Sequence, residues 1–180
     1  LEGVELRGKT LGIIGMGNIG SAVGRMATAL GMNAIGYDPL YSSEEIEARG
    51  AEQVTLNELY ARADFITLHV PLNDSTRAMI NAQSLAMMKK GVRLVCAARG
   101  GVIDEAALLE ALNSGQVAAA GLDVFAKEPP GLTPLVAHPN VVATPHIGAQ
   151  TQEAQVRASE DIATEVLKAL KGEALRWRVA

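Results

Sequence analysis

Cysteine is almost absent from this chain: Cys96 is the only one in 180 residues. No internal disulfide can form, and a lone thiol fits a reducing compartment. Aromatic residues are nearly as scarce, with one Trp, three Tyr and two Phe, so the core has to be aliphatic. No apolar run approaches the roughly 20 residues of a membrane helix, and no secretory hydrophobic region is found. The chain also lacks any excess of positive charge. Its 16 Lys and Arg stand against 20 Asp and Glu, a net charge of −4 without a basic run. That leaves no electrostatic footprint for nucleic acid. These absences point to a cytoplasmic protein that binds neither membrane nor nucleic acid.

What is present suits a single α/β domain. With 48% apolar and 20% charged residues, a chain of this length buries a core without disulfide or metal, and no metal site is expected. It opens on Leu1 rather than Met, with a strand signal almost at once, so residues 1–180 are expected to be a domain excised from a longer protein. Apolar runs at 10–14, 33–37, 65–68, 92–96, 117–122 and 141–143 read as strands. Residues 18–30 set Ile19, Ala22, Val23, Met26, Ala27 and Leu30 at helical spacing, and Gly31 follows as a helix-ending residue. Ser43-Glu44-Glu45-Ile46-Glu47 suggests a short capped helix, Thr55-Leu56-Asn57-Glu58 has capping-box spacing, and 84–90 reads as another helix. Asp104 caps a helix through Leu112 that stops near Gly115, and 151–171 predicts one long amphipathic helix. Wholly apolar strands alternating with helices indicate a parallel sheet covered on both faces. The expected fold class is α/β, a Rossmann-type doubly wound parallel sheet.

Gly15-Met16-Gly17-Asn18-Ile19-Gly20 is G-x-G-x-x-G between an expected strand and an expected helix, the context in which that pattern binds a dinucleotide. Gly15 would make the tight turn, Gly17 would let backbone approach a pyrophosphate, and Gly20 would let the helix close on the strand. The phosphates would meet the free N–H groups and positive end of that helix. Asp38 ends the second strand, where a carboxylate accepts from ribose hydroxyls and repels a 2′-phosphate. NAD is therefore expected over NADP. The plainer reading of Asp38-Pro39 is a turn at a strand end.

Ligands of open α/β sheets bind beyond the carboxyl ends of the strands. Gly15, Asp38, His69-Val70-Pro71, Arg99, Asp123 and His146 stand there. A histidine exchanges a proton near neutral pH, as oxidation of a hydroxyl requires, which makes His146 a candidate. His69 reads better as part of a backbone segment lining the cofactor, and His138 as a surface or capping residue. Arg99 is able to grip a carboxylate bidentately, or is a surface arginine beside a glycine turn. Glu128 can fix a histidine tautomer or stand solvated in its loop. Asp123 is placed either to hold a nicotinamide amide or to cap a turn.

Together, Gly36-Tyr37-Asp38-Pro39, Ala98-Arg99-Gly100-Gly101-Val102-Ile103-Asp104-Glu105, Gly121-Leu122-Asp123-Val124-Phe125 and Pro145-His146-Ile147-Gly148-Ala149 resemble the nucleotide-binding domain of the D-isomer-specific 2-hydroxy-acid dehydrogenases. The likeness covers essentially the whole chain and is strongest to members that oxidise 3-phosphoglycerate in serine biosynthesis. It implies Arg99, Glu128 and His146 as the catalytic set, with His146 removing the hydroxyl proton, Glu128 supporting the imidazolium and Arg99 binding the substrate carboxylate. It also implies NAD contacts from Asn18, Ile19, Val70, Ala97, Ala98, Asp123, Gly148 and Ala149. The family's substrate domain is built mainly from an upstream segment, so the isolated chain is expected to bind NAD yet turn over poorly. Relatives pair through this domain, which implies a homo-oligomeric parent. Glyoxylate/hydroxypyruvate reductase and D-lactate dehydrogenase chemistry are the alternatives within the family. A non-catalytic NAD-sensing module is the alternative of another class, and it has no need of Arg99, Glu128 and His146 together. Two departures stand out: Cys96 occupies a usual Asn position, and the ending Leu175-Arg176-Trp177-Arg178-Val179-Ala180 differs from the family's.

Overall fold

Aliphatic strand segments pair in the order the alternation demands. The structure, a computed structural model, describes residues 3–177. Leu1, Glu2 and the last three residues of the divergent tail, Arg178, Val179 and Ala180, lie outside the described residues. The elements run β1 (Thr10–Ile14), α1 (Asn18–Ala29), β2 (Asn33–Tyr37), α2 (Ser43–Ala48), β3 (Glu52–Gln53), α3 (Leu56–Arg62), β4 (Phe65–Leu68), α4 (Ala82–Met87), β5 (Val92–Cys96), α5 (Glu105–Asn113), β6 (Val117–Leu122), β7 (Val141–Ala143) and α6 (Gln152–Lys171). All described strands are parallel, in the order β3-β2-β1-β4-β5-β6-β7. The chain winds outward from β1 to β3, then restarts on the other side of β1 with β4. The expected doubly wound sheet is therefore present, with its switch point between β1 and β4.

Local chemistry explains most boundaries. Thr55 and Glu58 form the expected capping box of α3, and Asp104 accepts from the amides of Ala106 and Ala107 to start α5. Gly31, at φ +80°, ends α1 in a Schellman turn: its amide bonds Thr28 O and that of Met32 bonds Ala27 O. Two expectations need correction. The helix read at 84–90 lies at Ala82–Met87, because Asn81 caps it through the amides of Gln83 and Ser84, and the chain turns extended at Met88. β3 was not expected at all. Its two residues are exposed and polar, and pairing with Ile35 and Gly36 alone makes them a strand.

The core lies on both faces of the sheet. One cluster joins Ile14, Ile66, Leu68 and Leu94 with Leu59, Leu85, Leu108 and Leu112; the other sets Leu11, Ile13 and Met16 against Ala27, Met32 and Ile46. Each fully buried Ile or Leu stabilises by about 1.5–3 kcal/mol, which lets an aliphatic interior carry a domain with so few aromatics. The described residues form two compact units that succeed one another in sequence at Pro145 and His146. The first contains the whole sheet. The second contains α6, which Thr151 caps and Gly172 ends in left-handed conformation; none of its residues is buried, as an amphipathic pattern with an exposed apolar stripe shows here. Among the described residues, no helix is long and apolar enough to cross a membrane, and no group of His, Cys, Asp or Glu could hold a metal ion.

Candidate active site

Because the strands are parallel, their carboxyl ends share one edge of the sheet. The switch point places the turn after β1 beside the segment after β4. Gly15 sits at φ +94°, and a Cβ there would stand 2.6 Å from the carbonyl oxygen of His69. Only glycine fits that approach. A Cβ on Gly20 would lie 1.9 Å from the carbonyl oxygen of Gly15 and 3.2 Å from Ile13, so the first turn of α1 rests directly on the loop. Both expected packing roles are met within the fold itself.

Gly17 differs. Its φ of −65° suits any residue, and a Cβ there would meet nothing within 4 Å. Nothing inside the protein requires glycine at this position, whereas a pyrophosphate passing over the loop does. The helix that follows is also open to an anion. Side chains of Ser42, Thr55, Asn81, Asp104 and Thr151 cap the other described helices, while α1 has no side-chain cap and no acidic residue in its first turn. Asn18 is exposed, and Ile19 leaves 68% of its surface uncovered. An anion with apolar surface beside it fits this end of α1.

Asp38 follows β2 next to the loop. Its Oδ2 accepts the amide of Met16 at 2.8 Å and its Oδ1 the amide of Leu40 at 2.9 Å. Each oxygen has a further lone pair with which to accept a hydroxyl. The turn reading and the ribose reading of Asp38 are thus compatible.

Beyond β4, Val70 is half-buried against the core. The His69 ring lies 3.0 Å from Thr67 Oγ1 through Nε2, and burial pushes its pKa below the usual histidine range. Beyond β5, Ala97 and Arg99 are exposed and Ala98 half-buried. Cys96 is buried beneath this turn, and burial pushes its thiol pKa up, with the nearby Ala98 and Arg99 amides offsetting that in part. Arg99 donates from Nη1 to the Ala98 carbonyl at 2.7 Å and among the described residues forms no ion pair, which leaves its guanidinium charge for an anion. A Cβ on Gly100 would stand 1.8 Å from the Phe125 carbonyl oxygen, so the Arg99 turn lies flush against the loop after β6. Glu105 reinforces that contact, its Oε1 accepting the Ala126 amide at 2.6 Å.

In that loop, Asp123 is buried and accepts from the Thr144 hydroxyl through Oδ1. Glu128 is exposed and accepts the Phe125 amide at 3.1 Å. His138 accepts the Asn140 amide on Nδ1, which is the capping role expected of it. The first unit thus brings Gly15, Gly17, Asp38, Val70, Ala97, Ala98, Arg99 and Asp123 to one edge of the sheet. His146, Gly148 and Ala149 open the second unit, all exposed. His146 has φ +57°, a conformation that costs a non-glycine residue about 1 kcal/mol and that clusters at functional positions.

Sequence reasoning missed Met16 and Arg49. Met16 looks like the variable position of a glycine motif, yet its side chain is fully buried and both of its backbone polar groups are held by side chains, those of Asp38 and Arg49. No local pattern announces Arg49, whose partner is 33 residues away.

Residues 1–148 match the family model described as D-isomer specific 2-hydroxyacid dehydrogenase, NAD binding domain. D-3-phosphoglycerate dehydrogenase of Methanocaldococcus jannaschii is 53% identical over 173 residues, covering 96% of this chain and 33% of the relative. The chain spans about a third of the length of the curated relatives it matches. Among solved structures, a glyoxylate reductase from Paecilomyes thermophila superposes with a TM-score of 0.90 at 44% identity, over 96% of this chain and 53% of that one. D-lactate dehydrogenase of Lactobacillus jensenii with NAD+ gives a TM-score of 0.90 at 34% identity, over 99% and 58%. The doubly wound parallel sheet agrees with these likenesses, and the chain belongs to the D-isomer specific 2-hydroxyacid dehydrogenase family as an NAD-binding domain.

Proposed function

We propose that residues 1–180 are the NAD-binding domain of a cytoplasmic, homo-oligomeric enzyme that oxidises D-3-phosphoglycerate to 3-phosphohydroxypyruvate, an entry reaction to serine biosynthesis. The substrate domain then comes from other segments of the parent. The observation that carries this reading is the pairing of an open glycine loop at Gly17 with the Asp38 carboxylate beside it. The 53% identity to the phosphoglycerate enzyme of M. jannaschii supports the choice of acid. The glyoxylate reductase and D-lactate dehydrogenase likenesses keep those two acids as the second reading.

On this reading, the amides of Asn18, Ile19 and Gly20 bind the pyrophosphate, Asp38 takes the adenosine ribose hydroxyls, and Asp123 the carboxamide. Val70, Ala97, Ala98, Gly148 and Ala149 line the dinucleotide. The cofactor supplies the hydride acceptor when bound. Arg99 pairs with the substrate carboxylate and fixes the acid's orientation. An imidazole nitrogen of His146 takes the hydroxyl proton as the C–H electron pair leaves the same carbon, so the carbinol becomes a carbonyl. Glu128 is the carboxylate that family likeness assigns to the resulting imidazolium.

Titration of this chain with NADH and then NADPH, followed by nicotinamide fluorescence, tests the cofactor reading. NADH is expected to bind better, and Asp38→Ala to erase the preference. A folded chain that binds neither nucleotide overturns it. A panel of 2-hydroxy acids with the full-length parent decides the substrate: the highest kcat/KM belongs to 3-phosphoglycerate, and a preference for lactate or glycolate rejects that choice. The isolated chain is expected to turn over poorly, so near-normal turnover without the parent's other segments rejects the division of labour.

A further inference from the structure

We infer that Arg49 is a positioning residue for the dinucleotide, acting through the Met16–Gly17 peptide. The inference rests on the NAD reading of the glycine loop and goes beyond it, because Arg49 lies outside the G-x-G-x-x-G motif. Arg49 closes α2, where a cation is already favoured by the helix dipole. Its guanidinium nevertheless reaches across to another segment: Nη1 donates to the Met16 carbonyl at 3.3 Å. The same guanidinium lies over the Tyr41 ring, with Cζ 3.9 Å from the centroid. Stacked there, it keeps few alternative rotamers.

The consequence follows from the planarity of the peptide bond. In a trans peptide the C=O and the next N–H point in opposite directions. Asp38 holds the Met16 N–H, which turns the Gly15 carbonyl the other way, to the position where a Cβ on Gly20 would strike it. Arg49 holds the Met16 carbonyl and so turns the Gly17 N–H away from itself. The Met16 side chain is fully buried, with Gly36 packed closely against its sulfur, so neither peptide can rotate by moving that side chain. Asp38 and Arg49 thus set two successive peptides, one through its N–H and the other through its carbonyl. Arg49 fixes the one whose N–H belongs to Gly17, the glycine whose surroundings are open.

The experiment compares wild type with Arg49→Met, which removes the donor and the charge but keeps an apolar stem, and with Tyr41→Leu, which removes the stacking surface alone. In each chain the Gly17 amide resonance is recorded without nucleotide, and NADH affinity is measured at several salt concentrations. Arg49→Met is expected to move the Gly17 resonance and to weaken NADH on the order of tenfold. The slope of affinity against salt should stay that of wild type, because the guanidinium acts on the peptide and not on a phosphate. Tyr41→Leu should move the same resonance in the same direction by less, and it reads the effect even if Arg49→Met fails to fold. An unmoved Gly17 resonance with unchanged NADH affinity overturns the inference. So does a loss of affinity with a flattened salt slope and an unmoved resonance, which would mean direct contact with the ligand. If wild type binds no dinucleotide, the NAD reading fails instead, and the Gly17 resonance alone still decides whether Arg49 sets the peptide.

Discussion

The carboxylate of Asp38 accepts the amide of Met16 at 2.8 Å, 22 residues away, so the end of β2 holds the glycine loop in addition to the ribose role proposed for it. A substitution at Asp38 therefore has two separable effects. Asp38→Ala leaves the Met16 and Leu40 amides without their acceptor, at a cost of about 1–3 kcal/mol, read as a fall in Tm of roughly 2–12 °C for a domain of this size. Asp38→Asn keeps one acceptor oxygen and should lose about half as much. Both should bind NADH less well, and both should relax the discrimination against NADPH, since each removes the charge that repels a 2′-phosphate. If Asp38→Asn keeps full NADH preference, the negative charge is not the discriminating feature.

Gly17 and Gly20 make a second comparison, because the same change meets opposite surroundings. A Cβ at 20 would lie 1.9 Å from a backbone oxygen, which cannot move without shifting the loop. Gly20→Ala is expected to cost about 3 kcal/mol or more, seen in denaturant midpoints. Gly17→Ala meets nothing within 4 Å and should cost at most about 1 kcal/mol, the loss of a favoured N-cap residue. Its effect should appear instead as a large loss of NADH affinity. A Gly17→Ala chain that binds NADH like wild type would show that no phosphate passes over that face.

Where the sequence pattern is local, the structure follows it. The Gly31 turn and the Thr55–Glu58 box each involve residues within five positions, and their chemistry decides the backbone on its own. The strand-end rule succeeds for the same reason: a strand followed by a turn puts Asp38, Arg99 and Asp123 at one edge once the sheet is parallel. The failures are tertiary or disguised. Asn81–Ser84 is a capping box with Ser in the place usually held by Glu or Gln, so the start of α4 carries no familiar signature. β3 exists because Ile35 and Gly36 offer it partners, and nothing apolar in Glu52-Gln53 marks it. Arg49 and Glu105 are missed because each acts on a backbone group more than 20 residues distant.

His69 gives the chain a pH dependence with a definite sign. Burial lowers its folded-state pKa below the ordinary 6.5. Between the two values the unfolded chain holds more protons than the folded one, so stability rises with pH across that window. The stabilisation is complete above the ordinary value and is lost as pH falls below it. His69→Gln retains a group able to bond Thr67 but does not titrate. Unfolding midpoints followed downward from about pH 7.5 should therefore fall less steeply in His69→Gln than in wild type. The other two histidines are common to both chains and drop out of the difference. Parallel curves would mean that His69 takes up its proton without cost in the fold.

Cys96 supplies the last test. Cys96 is 2% exposed, and burial pushes its thiol pKa up. Only the thiolate reacts with alkylating agents, so iodoacetamide should label the native chain at least ~100-fold more slowly than the unfolded one, at a rate set by local opening. Replacement separates the role of the sulfur as filler from any role as acceptor for the Ala98 and Arg99 amides of the next turn. Cys96→Ala removes both, and should cost about 1–3 kcal/mol through the cavity left in the core. Cys96→Ser is smaller but keeps an acceptor under the turn. If the sulfur positions Arg99 by accepting from that turn, the Ala98 and Arg99 amides should exchange faster with solvent in Cys96→Ala than in Cys96→Ser, even where the two variants unfold at similar denaturant concentrations. Equal exchange in both would reduce Cys96 to a packing residue. The Arg99 turn would then depend on Gly100 lying against Phe125 and on Glu105 bonding Ala126, the two contacts that reach it from the loop after β6.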